Sequence, residues 1–145
     1  MEIRNTLENE LELFQRFEAE EDTKEYIIPY TMEKHIEEFN KAGIVYKTIL
    51  NESKIIGFII LNLEEDGKSV EFRRIVINEK GKGFGMMAIK YLDYIVKEEY
   101  ISNRIWLDVY SHNKRGIHIY EKCGYKYLKS VNYRGKELKV YEKML

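Results

Sequence analysis

The sequence predicts a mixed α/β domain, and three features of its order predict it. Two short amphipathic helical segments come first, an antiparallel meander of strands and turns follows, and the chain closes with strand, glycine loop, helix, strand, helix and hairpin. A repeating βαβ series is not present, which disfavours a doubly wound nucleotide-binding sheet.

The elements follow from local patterns. After a short extended start at Glu2 to Asn5, Leu7, Leu11, Phe14 and Phe17 recur at helical spacing. The stretch from Glu20 to Lys24 is polar, and Pro29 interrupts any continuous helix. Met32, Ile36 and Phe39 mark a second short helix that stops near Gly43. Val45 to Leu50 and Ile55 to Asn62 flank the turn Asn51-Glu52-Ser53-Lys54, which reads as a hairpin. Glu65-Asp66-Gly67-Lys68 is a further turn leading into a strand from Val70 to Ile77. Beyond the glycines, Met86, Ile89, Leu92 and Val96 give Phe84 to Val96 a helical period, and Arg104 to Tyr110 is a strand. Asn113 to Cys123 is a helix with Asn113 as N-cap and Gly124 as its stop. Tyr125 to Tyr133, a turn at Arg134-Gly135, and Glu137 to Met144 form the final hairpin.

Bulk properties narrow the function classes. A chain of 145 residues, 44% hydrophobic and 34% charged, supports one globular unit, taken as a single domain over residues 1–145. A net charge of -1 offers no global attraction for nucleic acid or an anionic membrane. No apolar run approaches the roughly 20 residues that span a bilayer, and the start lacks a secretory pattern. One cysteine rules out an intrachain disulfide framework and suits a reducing compartment, so a cytoplasmic location is expected.

The richest segment is Ile75-Val76-Ile77-Asn78-Glu79-Lys80-Gly81-Lys82-Gly83-Phe84-Gly85-Met86, an apolar strand that runs through alternating glycines into a helix. Glycines let main-chain N–H groups approach an anion closely, and the helix start adds aligned donors and partial positive charge. With Lys80 and Lys82 beside them, these parts suit a pyrophosphate. A nucleoside triphosphate loop would end in Lys-Ser/Thr, and a dinucleotide loop would read G-x-G-x-x-G; neither pattern is present. A glycine-rich turn without ligand stays open on this segment alone.

The run Lys80-Gly81-Lys82-Gly83-Phe84-Gly85 resembles the acyl-CoA loop of the GCN5-related N-acetyltransferases, Arg/Gln-x-x-Gly-x-Gly/Ala. At the proper distance, Asn113-Lys114-Arg115-Gly116-Ile117-His118-Ile119-Tyr120-Glu121-Lys122-Cys123-Gly124-Tyr125 is similar to that family's Asn-x-x-Ala-x-x-x-Tyr-x-x-x-Gly-Phe. Two motifs in order, with a strand between them, are far more specific than either alone. Val70-Glu71-Phe72 and Ile117-His118-Ile119-Tyr120 most resemble the spermidine and ribosomal-protein acetyltransferase branches. Lys80 replaces the usual Arg or Gln, the stretch before Gly81 is one residue short, and Gly116 stands where Ala is commoner.

The resemblance implies a fold and a set of roles. The fold is a mostly antiparallel twisted sheet, flanked by helices and splayed between its fourth and fifth strands. The cosubstrate is acetyl-CoA, with no metal. Its diphosphate would meet Lys80, Gly81, Lys82, Gly83, Phe84 and Gly85, and its pantetheine arm would meet Ile75, Val76, Ile77 and Asn113. Tyr120 occupies the general-acid position for the departing thiolate. An N–H near Val76 or Ile77 would hold the oxyanion. Glu71 falls by simple alternation on the same face as Arg73, Ile75 and Ile77; if that face lines the cleft it would relay a proton or hold a cationic acceptor, and otherwise it is a solvated charge paired with Arg73 or Arg74.

The acidic stretch from Glu18 to Glu38 reads either as a solvated helix face or as a surface that favours a polyamine or basic peptide end as the amine-bearing acceptor, with Tyr26 and Tyr30 offering cation–π contacts. A non-catalytic CoA-binding regulatory domain is the alternative. A homodimer through the terminal hairpin is a further expectation. His35, His112, His118 and Cys123 are too scattered for a metal site, and Trp106 reads as core or interface.

Overall fold

A computed structural model describes residues 1–145. Seven strands form one sheet in the order β1-β2-β3-β4-β5-β7-β6. They are β1 (Glu2–Asn5), β2 (Ile44–Asn51), β3 (Lys54–Leu63), β4 (Ser69–Ile77), β5 (Arg104–Tyr110), β6 (Lys126–Tyr133) and β7 (Lys136–Met144). Every adjacent pair is antiparallel except β4 and β5, which run parallel. The helices are α1 (Leu11–Glu18), α2 (Glu21–Lys24), α3 (Met32–Phe39), α4 (Phe84–Tyr94) and α5 (Lys114–Lys122). No helix is long and apolar enough to cross a membrane.

Two layers of helix explain the central strands. Every residue of β3 from Ile56 to Leu61 is buried, as expected where both faces of a strand are covered. Ile59 and Leu61 face one core, shared with Ala88, Ile89 and Leu92 of α4 and with Ile105 and Leu107 of β5. Phe58 and Ile60 face the other, shared with Leu11, Phe14 and Phe17 of α1. Phe14 stacks on Phe58 with ring centroids 4.3 Å apart, fixing α1 across the sheet.

The turns also follow the sequence. Glu52 and Ser53 have φ of 51° and 64°, the left-handed pair that matches the twist of a two-residue hairpin. Arg134 and Gly135 repeat that geometry between β6 and β7, at 51° and 78°.

Four expectations change. Leu7 is not on the first helix: a 3-10 turn at Glu8–Glu10 intervenes and leaves Leu7 exposed. The Glu10 carboxylate causes this, because it accepts the Leu7 N–H at 2.9 Å and ends the extended segment there. The polar stretch after α1 forms the single-turn helix α2. On α3, Ile36 is exposed while His35 and Glu38 are buried, since polar partners rather than apolar ones receive that face. Trp106 is half-buried rather than core, its indole N–H donating to Glu64 at a polar end of the sheet.

Candidate active site

The parallel pair is short. β4 and β5 are joined only at Ser69–Arg104, Val70–Ile105 and Glu71–Trp106, although β4 continues to Ile77 and β5 to Tyr110. Past Glu71 the strands part. A cleft of about 1180 Å³ fills the gap and continues over the glycine loop. Along it, Ile75, Val76 and Ile77 pair with Ile59, Phe58 and Gly57 of β3 on one side and have no strand on the other. That leaves one edge of their backbone groups for a ligand that binds as an added strand.

A bulge in β4 decides what faces what. Leu61 pairs with Phe72 and Ile60 with Arg74, so Arg73 is the extra residue. Alternation inverts there. Phe72 before the bulge and Ile75 and Ile77 after it all pack on the α4 core, whereas Val76 packs on the α1 core. Arg73 reaches Glu38 on α3 and its neighbour Arg74 reaches Glu18 on α1, so two successive side chains share one face. Glu71 lies on that α1–α3 face with Arg73, opposite Ile75 and Ile77, which corrects the uninterrupted alternation expected from sequence.

The glycine loop is open. Gly81 and Gly83 have φ of 76° and 77°, and no atom lies within 4 Å of where a Cβ would stand. Gly83 is the N-cap of α4 and no side chain caps it, so the first N–H groups of the helix point into the loop unclaimed. The two lysines part company. Lys80 crosses the cleft to donate to Thr23 Oγ1 at 3.0 Å, and its desolvated ammonium has a lowered pKa. Lys82 stays outside, paired with Glu79 at 3.1 Å. Arg115, in the first turn of α5, lines the cleft and adds a cation near Lys80 that the sequence patterns did not single out.

On α5, Asn113 Oδ1 accepts the Gly116 N–H at 2.9 Å, the expected N-cap. A Cβ on Gly116 would lie 2.7 Å from the Asn113 amide, so glycine there leaves room for this folded-back side chain. Tyr120 packs edge-on to Phe72 and Tyr125, with centroids 6.0 and 5.9 Å away. Burial pushes its phenol up to about 12, with the Asp108 charge adding to the effect. The hydroxyl therefore keeps its proton near neutral pH.

The opposite wall carries acids and their partners. Glu71 Oε1 accepts from Arg73 at 2.9 Å and from Asn62 at 3.2 Å. Buried Glu38 meets Lys34 at 2.8 Å and Arg73 at 3.6 Å. Asp108, on β5, faces the cleft without an ion pair, and its carboxyl is raised by desolvation and by Glu71, against the lowering effect of Arg73. The segment between α2 and α3 roofs this region. Tyr26 stacks on His112 at 5.7 Å, and the Glu25 carbonyl lies 3.3 Å from His112 Nε2. The Tyr30 ring already holds a cation, the Arg74 guanidinium at 4.0 Å.

Beneath that wall lies a buried polar chain that helical periodicity alone did not reveal. Glu18 and His35 are both fully buried and 2.6 Å apart, and Tyr46 hydroxyl meets His35 Nδ1 at 2.8 Å. Glu18 also takes the Arg74 guanidinium and, at 3.2 Å, the Tyr30 N–H. Burial raises the Tyr46 phenol well above its ordinary 10.0. The available signal was the presence of a carboxylate and an imidazole at core-facing positions of two amphipathic helices.

Known proteins place this geometry. The sequence profile of the acetyltransferase (GNAT) family matches residues 6–125. The spermine/spermidine N(1)-acetyltransferase of Bacillus subtilis (strain 168) is 28% identical over 112 residues, which are 72% of this chain and 70% of that protein. The spermidine N-acetyltransferase of Vibrio cholerae, solved in complex with CoA and spermine, superimposes with a TM-score of 0.84 at 21% identity over 99% of this chain and 94% of its own. A phosphinothricin N-acetyltransferase structure, assigned that activity provisionally, gives 0.82 at 19% identity, over 99% and 98%. The parted parallel strands, the open glycine loop and the profile match agree: the chain belongs to the acetyltransferase (GNAT) family and is an N-acetyltransferase.

Proposed function

We propose that this protein transfers acetyl from acetyl-CoA to a primary amine of a polyamine or similar small cationic amine. The observation that carries the reading is the free edge of Ile75–Ile77 running into the uncapped glycine loop, with Tyr120 on the facing helix. Acetyl-CoA supplies the activated acyl group as a thioester. Gly81, Gly83, Phe84 and Gly85 direct main-chain donors at its diphosphate, and Lys80 and Lys82 add positive charge. The backbone of Ile75, Val76 and Ile77 receives the pantetheine arm, to which the Asn113 amide also bonds. An N–H of Val76 or Ile77 holds the oxyanion that develops as the amine attacks. Tyr120 gives its proton to the departing sulfur.

Glu71 acts from the acceptor side, where its carboxylate holds the cationic amine directly or through water. Polyamine acceptors are supported by the names of the relatives and by the acids of this wall, Glu71, Glu38 and Asp108, with Asp22 and Glu25 at its mouth. Residues 1–145 serve as one catalytic domain, and the lone buried Cys123 suits a reducing cytoplasm.

The test is release of CoA thiol from acetyl-CoA mixed with spermidine, spermine, diamines, amino acids and peptide N-termini. Polyamines turning over fastest supports the reading. CoA binding without acetylation of any amine would support a non-catalytic binding domain instead.

We also propose a homodimer formed through β6, a sheet edge whose eight residues are all exposed, Tyr127, Leu128, Val131 and Tyr133 among them. Sedimentation showing only monomer at working concentration would end that proposal.

A further inference from the structure

The helix that carries Tyr120 is lightly seated. None of the nine residues of α5 is buried, and Ile117, Ile119 and Tyr120 meet the α4 core only as half-buried side chains. A helix this short and this exposed depends on how its ends are held. Asn113 caps the first end. The second, one turn beyond Tyr120, is held by a residue of β7.

That residue, Lys143, breaks the pattern of its strand. It pairs with Ile105 of β5 and stands two residues from Tyr141, and both of those belong to the α4 core. Alternation therefore calls for an apolar side chain at 143. Its ammonium instead makes two bonds. One goes to the Cys123 carbonyl at 2.6 Å, where α5 ends and no further turn of helix supplies a donor. The other goes to the Asp93 carboxylate on α4, the helix that starts in the glycine loop. The lysine stem crosses Gly124, where a Cβ would stand 3.3 Å from Lys143 Cε. The ammonium also lies 5.8 Å from the Tyr125 ring, and Tyr125 packs edge-on to Tyr120.

We propose that Lys143 is a positioning residue for the acetyl transfer, fixing the Tyr120 hydroxyl relative to the departing sulfur by bridging α5 to α4. The inference rests on the amine-acetylation reading and on Tyr120 as its acid. Neither Lys143 nor Asp93 lines the cleft, so their influence on turnover passes through the helices they join. One of those helices begins at the loop that seats the diphosphate, and the other bears the proton donor. A tie between them sets where the acid stands against the bound thioester. Small displacements matter here, because a group moved by about 1 Å from its productive place can lose about 100-fold in rate. The cation also sits at the negative end of the α5 dipole, which strengthens its hold on that terminus.

The experiment compares wild type with Lys143→Met, Lys143→Arg, Tyr120→Phe and the double variant Lys143→Met/Tyr120→Phe. Thiol release with spermidine gives kcat and KM, calorimetry gives CoA affinity, and urea unfolding gives stability. Lys143→Met should lower kcat by about 10-fold or more with CoA affinity unchanged. Lys143→Arg, which keeps a cation with donors at the same place, should restore most of the rate. Once the hydroxyl is gone there is nothing left to position, so the double variant should turn over no more slowly than Tyr120→Phe. Lys143→Met also strands the Asp93 carboxylate. Asp93→Asn/Lys143→Met, which removes both charges, is therefore measured beside it and should show the same fall in kcat.

Wild-type kcat in that neutral pair overturns the assignment. So does a double variant slower than Tyr120→Phe by the whole Lys143 factor, since the two side chains would then act independently. A parallel loss of CoA affinity, or failure of both Lys143→Met and Asp93→Asn/Lys143→Met to fold, marks a role in the core at large and overturns it too. Tyr120→Phe turning over like wild type removes the acid while leaving the amine-acetylation reading in place. A wild type that releases no thiol with any amine overturns that reading itself. In either case this inference falls.

Discussion

His35 Nε2 and Glu18 Oε1 lie 2.6 Å apart with neither side chain exposed, so an imidazole of α3 is tied to a carboxylate of α1 inside the smaller core. With Nε2–H donating to Glu18, Nδ1 is free to accept from the Tyr46 hydroxyl, and α1, α3 and β2 are held by one chain of hydrogen bonds. Arg74 extends that chain to β4, one residue beyond the bulge at Arg73. The chain ties α1 and α3 to the strand whose far end, Ile75–Ile77, borders the cleft.

Removing one member of such a network leaves a buried polar group unanswered. His35→Ala should lower unfolding free energy by about 3–5 kcal/mol, and Tyr46→Phe by about 1 kcal/mol, because it deletes one bond and fills the same space. Urea unfolding of the two variants against wild type measures both. A cost for His35→Ala below that of Tyr46→Phe would show the network contributes little.

A second pair sets the acid limb of stability. Glu10 has its pKa lowered from 4.5, chiefly by its bond to Arg4 and against the opposing effect of burial, with the Leu7 N–H and Thr48 hydroxyl also lowering it. A depressed folded-state value means the unfolded chain takes up the proton first. The stabilisation is therefore complete above about pH 4.5 and is lost as pH falls through the lower folded value. Glu10→Gln should cost about 1.5–3 kcal/mol at neutral pH and flatten the loss of stability on acidification. Unfolding midpoints from about pH 3 to pH 6 check the slope.

Much of the glycine-loop side of the cleft was legible because its rules are local. Asn113 reads as a cap from its own side chain, Gly124 as a helix stop that takes φ of 95°, and the Gly81–Gly83 spacing as an open loop. The wall formed by α1, α3 and β4 depends on contacts between distant segments. No periodicity in Glu71-Phe72-Arg73-Arg74-Ile75 shows that Arg73 is a bulge, because its register is set by β3. For the same reason the burial of Glu18 and His35 was hidden: each becomes tolerable in a core only when the other, with Tyr46 and Arg74, is brought to it.

Gly57 tests the cofactor edge from behind. It pairs with Ile77, and a Cβ at Gly57 would collide with the Val76 carbonyl oxygen and stand 3.0 Å from Ile77 Cδ1. The obstacle is backbone on one side, so Gly57→Ala must shift β4 rather than rotate a side chain away. It should cost about 1–3 kcal/mol in stability and weaken CoA binding. Calorimetry with CoA reads the second effect. Unchanged affinity would mean the Val76–Ile77 edge does not bear the ligand.

Tyr120 gives the sharpest separation of binding from chemistry. A buried phenol held near 12 stays protonated across the working range, so it contributes no fall in kcat on the alkaline side until pH nears that value. Tyr120→Phe keeps the ring packed on Phe72 and Tyr125 and removes only the hydroxyl, the proton donor in the proposed reaction. CoA affinity should hold while kcat drops about 100-fold. The loss should be smallest with an acyl donor whose thiolate leaves readily unprotonated, such as a thioester of an aromatic thiol. Equal rates for Tyr120→Phe and wild type with acetyl-CoA would take this hydroxyl out of the reaction, and an equal loss with both donors would assign it a positioning role instead.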